Sequence, residues 1–453
     1  MKKCMAVILA AGEGTRMKSK MPKVLHEAAG TSMLEWVIRA VKGVDTQKCV
    51  VVCGRGEQEI KNKFGETVEY ATQSERLGSG HAVLCAKKNL ENFDGYTLIV
   101  AGDMPLLRGD TIQNMVEASK GYDCIVLSAE LENPYGYGRI VRDCNGNVQE
   151  IVEEKDATDK QRSIKEVNSS CYCVKNKLLL ECLKLIKPAN AQGEYYLTDI
   201  VSILNSKGHR VGAYIAQDAQ ECMGVNDRVQ LAQVSEILRE RILKKHLLNG
   251  VTIMDPKNVY IDEDSVIGAD TVIYPNVILE NGCHIGQDVV LYQGSRLSHA
   301  VIGDNTIVQN SVILDAQVGS NTTVGPYAYI RPQSEIGSHC RIGDFVEIKN
   351  SVIDDGTKVS HLTYIGDADF GKKINVGCGV VVVNYDGKSK FRTEVGDEAF
   401  IGCNTNLISP VSVGAGAYIA AGSTITDEVP KSALAIARAR QVIKENWEDK
   451  RKR

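Results

Sequence analysis

The sequence predicts an α/β domain, a connecting helix and a parallel β-helix, in that order. Three observations carry this. Strand-like and helix-like stretches alternate up to about residue 226, one long charged amphipathic stretch follows, and from Ile261 an aliphatic residue recurs at every sixth position. At 453 residues the chain exceeds what one core supports, so two or three domains are expected.

In the first part, the apolar runs 5–10, 49–53, 97–100, 124–129 and 211–216 have the length and composition of buried strands. Helix-like stretches such as 33–41 and 80–90 lie between several of them, which argues a mostly parallel sheet with covering helices. Asn145-Gly146, flanked by Arg139–Arg142 and Val148–Val152, reads as an added hairpin. This domain is placed at 1–226.

The connecting segment is 227–249. Val229, Leu231, Val234, Leu238, Ile242 and Leu248 are set among charges, with Asn249-Gly250 as the stop. At 1.5 Å per residue that helix is roughly 33 Å long.

The rest, 250–453, keeps the third rhythm. Ile261, Ile267, Ile273, Leu279, Ile285, Leu291 and Leu297 fall six apart. After short slips the step resumes at Val318, again at Ile353 and Phe370, and runs from Val395 to Ile425. Neither a helix nor a flat strand has period six. A chain that turns a corner every six residues does, with one inward aliphatic per face and small residues such as Gly268, Gly286 and Gly319 at the corners. Three faces make one coil. Between Val382 and Val395 the segment 384–392 must leave the coil as a loop.

Composition excludes several classes. With 53 basic against 57 acidic residues the net charge is −4, which offers no case for nucleic acid or an anionic membrane. The basic tail 449–453 is expected to make local anion contacts or to fray. The apolar start superficially resembles a signal peptide, but it is short and leads straight into a glycine loop, so it reads as a buried first strand. No window spans a bilayer. The 14 scattered cysteines, with no Cys-x-x-Cys, read as small buried hydrophobes in a reducing cytosol, and the protein is expected to be cytoplasmic.

The stretch Leu9-Ala-Ala-Gly-Glu-Gly-Thr-Arg-Met-Lys-Ser-Lys-Met-Pro-Lys-Val-Leu25 follows the first strand. It lacks the third glycine of a dinucleotide loop, and Met17 stands where a Walker loop needs glycine. Glycines at a strand end let backbone amides approach a triphosphate, while Arg16 and Lys23 supply charge against a pyrophosphate leaving group. Downstream, Asp103 ends a buried strand, where ligands bind in open α/β sheets. Beside a triphosphate site it suits Mg²⁺.

These motifs resemble the sugar-nucleotide nucleotidyltransferases (pyrophosphorylases), with their L-x-x-G-x-G-T-R-M…P-K signature. Along the whole chain the resemblance is to the bifunctional N-acetylglucosamine-1-phosphate uridylyltransferase/glucosamine-1-phosphate acetyltransferase family. It implies a Rossmann-like first domain and a left-handed β-helix of hexapeptide repeats. It also implies UDP-GlcNAc binding by Leu9, Ala10, Ala11, Gly12, Lys23, Gln73, Gly78, Ser79, Ala101, Gly102, Asp103, Gly138, Glu153, Asn168 and Asn226. Asp103 and Asn226 would share Mg²⁺; by its residue type alone, Asn226 reads as a loop or N-cap residue. The product would feed cell-wall and lipopolysaccharide-type synthesis.

On the coil, His361 lies near the excluded loop and near polar residues unsuited to a dry core: Arg331, Lys349, Tyr364 and Asn375. Amine acetylation needs a base as nitrogen attacks the thioester, and an imidazole suits that task. Arg331 and Lys349 suit a sugar phosphate. The resemblance makes His361 the catalytic base and gives the sugar phosphate to Arg331, Lys349, Tyr364 and Asn375. It gives acetyl-CoA to Cys378, Asn384, Tyr385, Cys403, Ala421 and Arg438, and implies a homotrimer with sites between subunits. Cys403 stands where serine is common, Cys378 replaces a small alanine, and the Val-Pro expected after Arg438 is missing. Two other readings are a single-activity nucleotidyltransferase with a regulatory coil and a trimeric scaffold with a decayed first domain. His361, the Asn384 loop and Arg438 argue against the first, and intact Lys23, Asp103 and Asn226 against the second.

Overall fold

The computed structural model describes residues 3–451, so Met1, Lys2 and the last two residues of the basic tail lie outside the described residues. The chain divides into two compact units, Met1–Leu238 and Arg239–Arg453.

The first unit is built on a nine-stranded sheet. In chain order its strands are β1 (Cys4–Ala10), β2 (Thr46–Cys53), β3 (Glu69–Thr72), β4 (Tyr96–Ala101), β5 (Cys124–Glu130), β6 (Arg139–Arg142), β7 (Val148–Val152), β8 (Glu166–Lys175) and β9 (Val211–Ile215). The spatial order is β9-β5-β8-β4-β1-β2-β3, with the β6–β7 hairpin attached to β8. Alternate residues of the central strands bury themselves in separate hydrophobic clusters, Ala6 and Ile8 in one, Met5 and Val7 in another.

Two features depart from the sequence reading. Strand β8 is antiparallel to β4, β5 and β6, so it reverses direction inside an otherwise parallel frame. Its polar run Asn168-Ser-Ser170 masks the strand pattern. The 80–90 stretch is two helices, Ser79–Cys85 and Lys87–Leu90. The ladder shortens at Ala86, whose amide bonds to Val83 rather than one turn back, and restarts from the Ala86 carbonyl.

The long helix spans Arg228–Leu248. Leu231, Val234 and Leu238 are buried with Met17, Met33 and Leu106, which anchors the glycine loop through the very methionine that spoils a Walker pattern. Val229 and Leu248, expected on the apolar face, are 68 % and 76 % exposed because they sit at the helix ends.

In the second unit three parallel sheets of eleven, ten and nine strands wrap one core. Each short strand pairs with the one a full coil later: Ile273 lies on Leu291, three six-residue steps on. The six-step aliphatics are buried throughout, and Ile302, Val308 and Ile313 fill the phase slip, so shorter turns replace no coil. Corners take left-handed φ at short polar residues such as Asp270, Asn276 and Asn281. A Cβ on Gly268 would lie 2.6 Å from the backbone of Gly286 in the next coil, which is why that corner has no side chain. The 384–392 segment leaves the coil between strands Val381–Val383 and Thr393–Val395. Asp386 accepts the amides of Lys388 and Ser389, each at 2.7 Å, and so closes its turn.

Candidate functional site

Both sites follow from where strands end. In the first unit β1 and β4 run parallel and side by side, so Gly12 and Asp103 follow their C-terminal ends at one edge of the sheet. Because β8 is antiparallel, its beginning reaches the same edge and delivers Asn168 there. The amide of Asn168 bonds to the Gly138 carbonyl at 2.9 Å. A bulge at Asn168–Cys171 turns the strand, with Ser170 at φ 64° and its amide on the Asn168 Oδ1 at 3.0 Å. A cavity of about 180 Å³ results, lined by Ala101, Asp103, Gly138, Glu153, Asn168 and Asn226 among others.

Burial pushes the Glu153 carboxyl above the usual carboxylate range. The Val225 amide bonds to the Asp103 carbonyl at 3.0 Å, which lays Asn226 beside Asp103. Lys23 donates to the Asp103 carboxylate and, at 3.3 Å, to the Asn226 Oδ1. It gets there because Gly14, at φ 61°, has no side chain: a Cβ would sit 2.6 Å from the Lys23 Cβ. Two hard oxygen acceptors thus converge on one cationic point, a donor set that fits Mg²⁺ completed by substrate phosphates.

The other predicted residues of this unit line the β1–β2–β3 side of the same edge. The Gly102 amide bonds to the Leu9 carbonyl at 2.9 Å, and the Gln73 amide to Cys53 at 2.7 Å. Gln73 is buried, with its side-chain amide on the Gly78 carbonyl at 3.1 Å. The Ser79 hydroxyl accepts from the Leu197 amide at 3.0 Å. Neither Gln73, Gly78, Ser79 nor the 9–12 loop lines the Asp103 cavity. Arg16 is exposed on the turn Thr15–Met17, away from any ion-pair partner among the described residues.

On the coil, Asp344 and His361 face each other on adjacent turns of one sheet. The His361 Nδ1 lies 2.7 Å from the Asp344 Oδ1, and that bond holds the carboxyl below its usual range. With a carboxylate as acceptor, Nδ1 carries the proton and Nε2 is left as the basic nitrogen. Arg331 and Lys349 lie on neighbouring turns, the Arg331 amide bonding to the Ile348 carbonyl. Arg331 pairs with Glu347 at 2.8 Å.

Asp367 is a hub. It accepts from Lys349 at 3.1 Å and from the side-chain amides of Asn350 and Asn384, each at 2.5 Å. Burial alone would raise its pKa; those donors hold it below the usual range. On the excluded loop, Lys390 is held below the usual ammonium range by close contact with Lys349 and by its charge, and less by Arg331, while Asp367 opposes them. Arg331, Lys349 and Lys390 are thus cations of one neighbourhood, of the kind that pairs with phosphate. A Cβ on Gly366 would collide with the Tyr364 hydroxyl, so that ring lies over the same turn. Asn375 is exposed one sheet away, on the strand that pairs with Lys358–His361.

Of the acetyl-CoA set, Cys378, Cys403 and Ala421 form one column up a corner. The Asn404 amide bonds to the Cys378 carbonyl and the Gly422 amide to the Cys403 carbonyl, both at 2.8 Å. Arg438 Nη1 closes the column on the Ala421 carbonyl at 2.9 Å. Tyr385 lies in the loop, its hydroxyl on the Gly387 carbonyl at 2.7 Å.

Comparison with known proteins matches both halves. Residues 6–167 match the MobA-like NTP transferase domain, and 258–293, 315–350 and 392–427 match the bacterial transferase hexapeptide family of six repeats. A bifunctional GlmU protein of Acetivibrio thermocellus is 53 % identical over 445 residues, covering 98 % of this chain and 96 % of its own. One from Geobacillus is 51 % identical, with 98 % and 97 % covered. One from Clostridium acetobutylicum is 51 % identical, with 100 % and 99 % covered.

The chain belongs to the bifunctional GlmU family. As a GlmU-family chain it is a bifunctional transferase, a nucleotidyltransferase domain followed by a left-handed β-helical acetyltransferase domain, acting on small molecules. Among the described residues no helix is long and apolar enough to cross a membrane. Sequence reasoning missed Asp344, Lys390 and the cavity residues Tyr137, Ser169 and Cys222. Asp344 was findable, since it precedes His361 by one coil; the other residues carry no pattern of their own.

Proposed function

We propose that this chain makes UDP-N-acetylglucosamine in two steps: residues 250–453 acetylate glucosamine 1-phosphate, residues 1–226 uridylylate the product, and 227–249 link them. In the first step the sugar amine attacks the thioester carbonyl of acetyl-CoA. The His361 Nε2 takes the proton from nitrogen, and the coenzyme A thiolate leaves. Arg331, Lys349 and Lys390 hold the sugar phosphate, with Tyr364 on the same sheet and Asn375 on the adjoining one. Asn384, Tyr385 and the Cys378–Cys403–Ala421–Arg438 column receive acetyl-CoA.

In the second step a phosphate oxygen of GlcNAc 1-phosphate attacks the α-phosphorus of UTP and pyrophosphate leaves. Lys23 and Arg16 stabilise the charge that develops on it, and the 9–12 loop, Gln73, Gly78 and Ser79 take the nucleotide. Ala101, Gly102, Gly138, Glu153 and Asn168 take the sugar side. Asp103 and Asn226 would hold Mg²⁺, which would supply Lewis-acid charge neutralisation at the phosphates. The assembly is a homotrimer in the cytoplasm.

The observation that supports this reading best is the convergence of Lys23, Asp103 and Asn226 at a strand-end cavity, on a chain whose coil also holds the Asp344–His361 pair. The test is pyrophosphate release from UTP and GlcNAc 1-phosphate. Release that depends on Mg²⁺ and falls about a hundredfold or more in Asp103→Asn is expected. No release by the purified protein would overturn the assignment of the first unit.

A further inference from the structure

Of the fourteen cysteines only Cys85, Cys144, Cys378 and Cys403 are accessible, and two of these four stand on top of each other. Strands Asn375–Val376 and Phe400–Ile401 pair in parallel with Val376 on Ile401, so the register carries Cys378 onto Cys403. The Asn404 amide on the Cys378 carbonyl at 2.8 Å continues that register through the corner. A Cβ on Gly377 would lie 2.5 Å from the Cys403 amide nitrogen, so the two turns are in direct contact. Adjacent turns of a parallel sheet are about 4.8 Å apart, and disulfides bridge Cα atoms about 4.4–6.8 Å apart. Cys378 is half-buried and Cys403 exposed, whereas Val376 and Ile401 two residues earlier fill the core.

We propose that Cys378 and Cys403 form a vicinal dithiol, a modification site that reacts with low-molecular-weight disulfides and closes to a Cys378–Cys403 bond that shuts the acetyl-CoA column. The chemistry stands by itself; only its effect on acetyl transfer rests on the acetyl-CoA reading above. The Cys403 thiolate, the more exposed, attacks one sulfur of the small disulfide and expels one thiolate. The Cys378 thiolate then attacks the Cys403 sulfur and expels the second. Two protein thiols and one small disulfide become one protein disulfide and two small thiols. The protein loses two electrons and two protons, and the small disulfide gains them. Closure removes both thiols from the surface on which the column ends and ties turns that Arg438 caps at Ala421.

The experiment uses the full chain, first reduced and then incubated with oxidised glutathione. Peptide mapping by mass spectrometry reads the linkage; acetylated sugar phosphate and pyrophosphate are quantified in parallel. A linked Cys378–Cys403 peptide is expected, with acetyl transfer down at least tenfold, restored by dithiothreitol, and pyrophosphate release unchanged within twofold. Cys144→Ser stays sensitive, whereas the rate of Cys403→Ser, whatever its value, no longer responds. Absence of the linked peptide, unchanged acetyl transfer by the linked protein, or persisting sensitivity of Cys403→Ser would overturn the proposal. If the reduced protein itself makes no acetylated sugar, the acetyl-CoA reading fails while the linked peptide still reports on the dithiol.

Discussion

Glu153 shows what burying a carboxyl in the cavity costs in stability. Its carboxyl is held above the usual range by burial, so between about pH 4.3 and its raised pKa the folded state keeps a proton that the unfolded chain has lost. Stability therefore falls as pH rises through that window and stays lower above it. Glu153→Gln should raise the melting temperature at pH 7–8 and not below about pH 4, while weakening UDP-GlcNAc binding about tenfold. Melting curves across pH check the first and calorimetry the second; an equal gain at both pH values would assign it to something other than ionisation. On the coil, Asp344 bonds to His361, so under the proposed acetyl transfer it would act through that imidazole as a positioning residue. Asp344→Asn should lower kcat for acetyl transfer about tenfold, shift its pH profile and leave KM for acetyl-CoA nearly unchanged. Lys390→Ala should instead raise KM for glucosamine 1-phosphate, about tenfold, because under the proposed reading it removes one of the three cations that take the phosphate.

At the scale of elements, the coil was legible because its signal repeats. One inward aliphatic per face makes period six visible over more than twenty positions, and each such residue is buried in the structure. Ile348 lies deep in that core, so Ile348→Ala should cost about 2–5 kcal/mol in denaturant unfolding of the coil. The first strand and its loop were legible for a related reason, since apolar composition and glycine spacing are both local. Strand β8 was not, because the bulge that aims Asn168 into the cavity is built from Asn168, Ser169 and Ser170, which interrupt the strand alternation. Asp344 was legible only through the coil length. Its importance lies in the turn above it, and a pairing across one coil shows in register, not in neighbouring letters. Arg16 was named from its motif, yet the structure gives it no partner among the described residues, so its role depends on substrate.

At the scale of the whole molecule, two compact units each hold a site with its own electrostatic logic. The first joins a carboxylate and an amide oxygen around a cation; the second pairs an acid with an imidazole beside stacked cations. Removing divalent metal with a chelator should therefore abolish pyrophosphate release and leave acetyl transfer unchanged. The most direct test of the central claim supplies the purified chain with glucosamine 1-phosphate, acetyl-CoA, UTP and Mg²⁺ and follows every sugar phosphate by mass spectrometry. The unaltered chain should make UDP-GlcNAc, Asp103→Asn should accumulate GlcNAc 1-phosphate, and His361→Ala should make UDP-GlcNAc only when GlcNAc 1-phosphate is supplied. If either variant lost both half-reactions while remaining folded, or if His361→Ala still acetylated the sugar at the unaltered rate, the assignment of two independent sites would be contradicted.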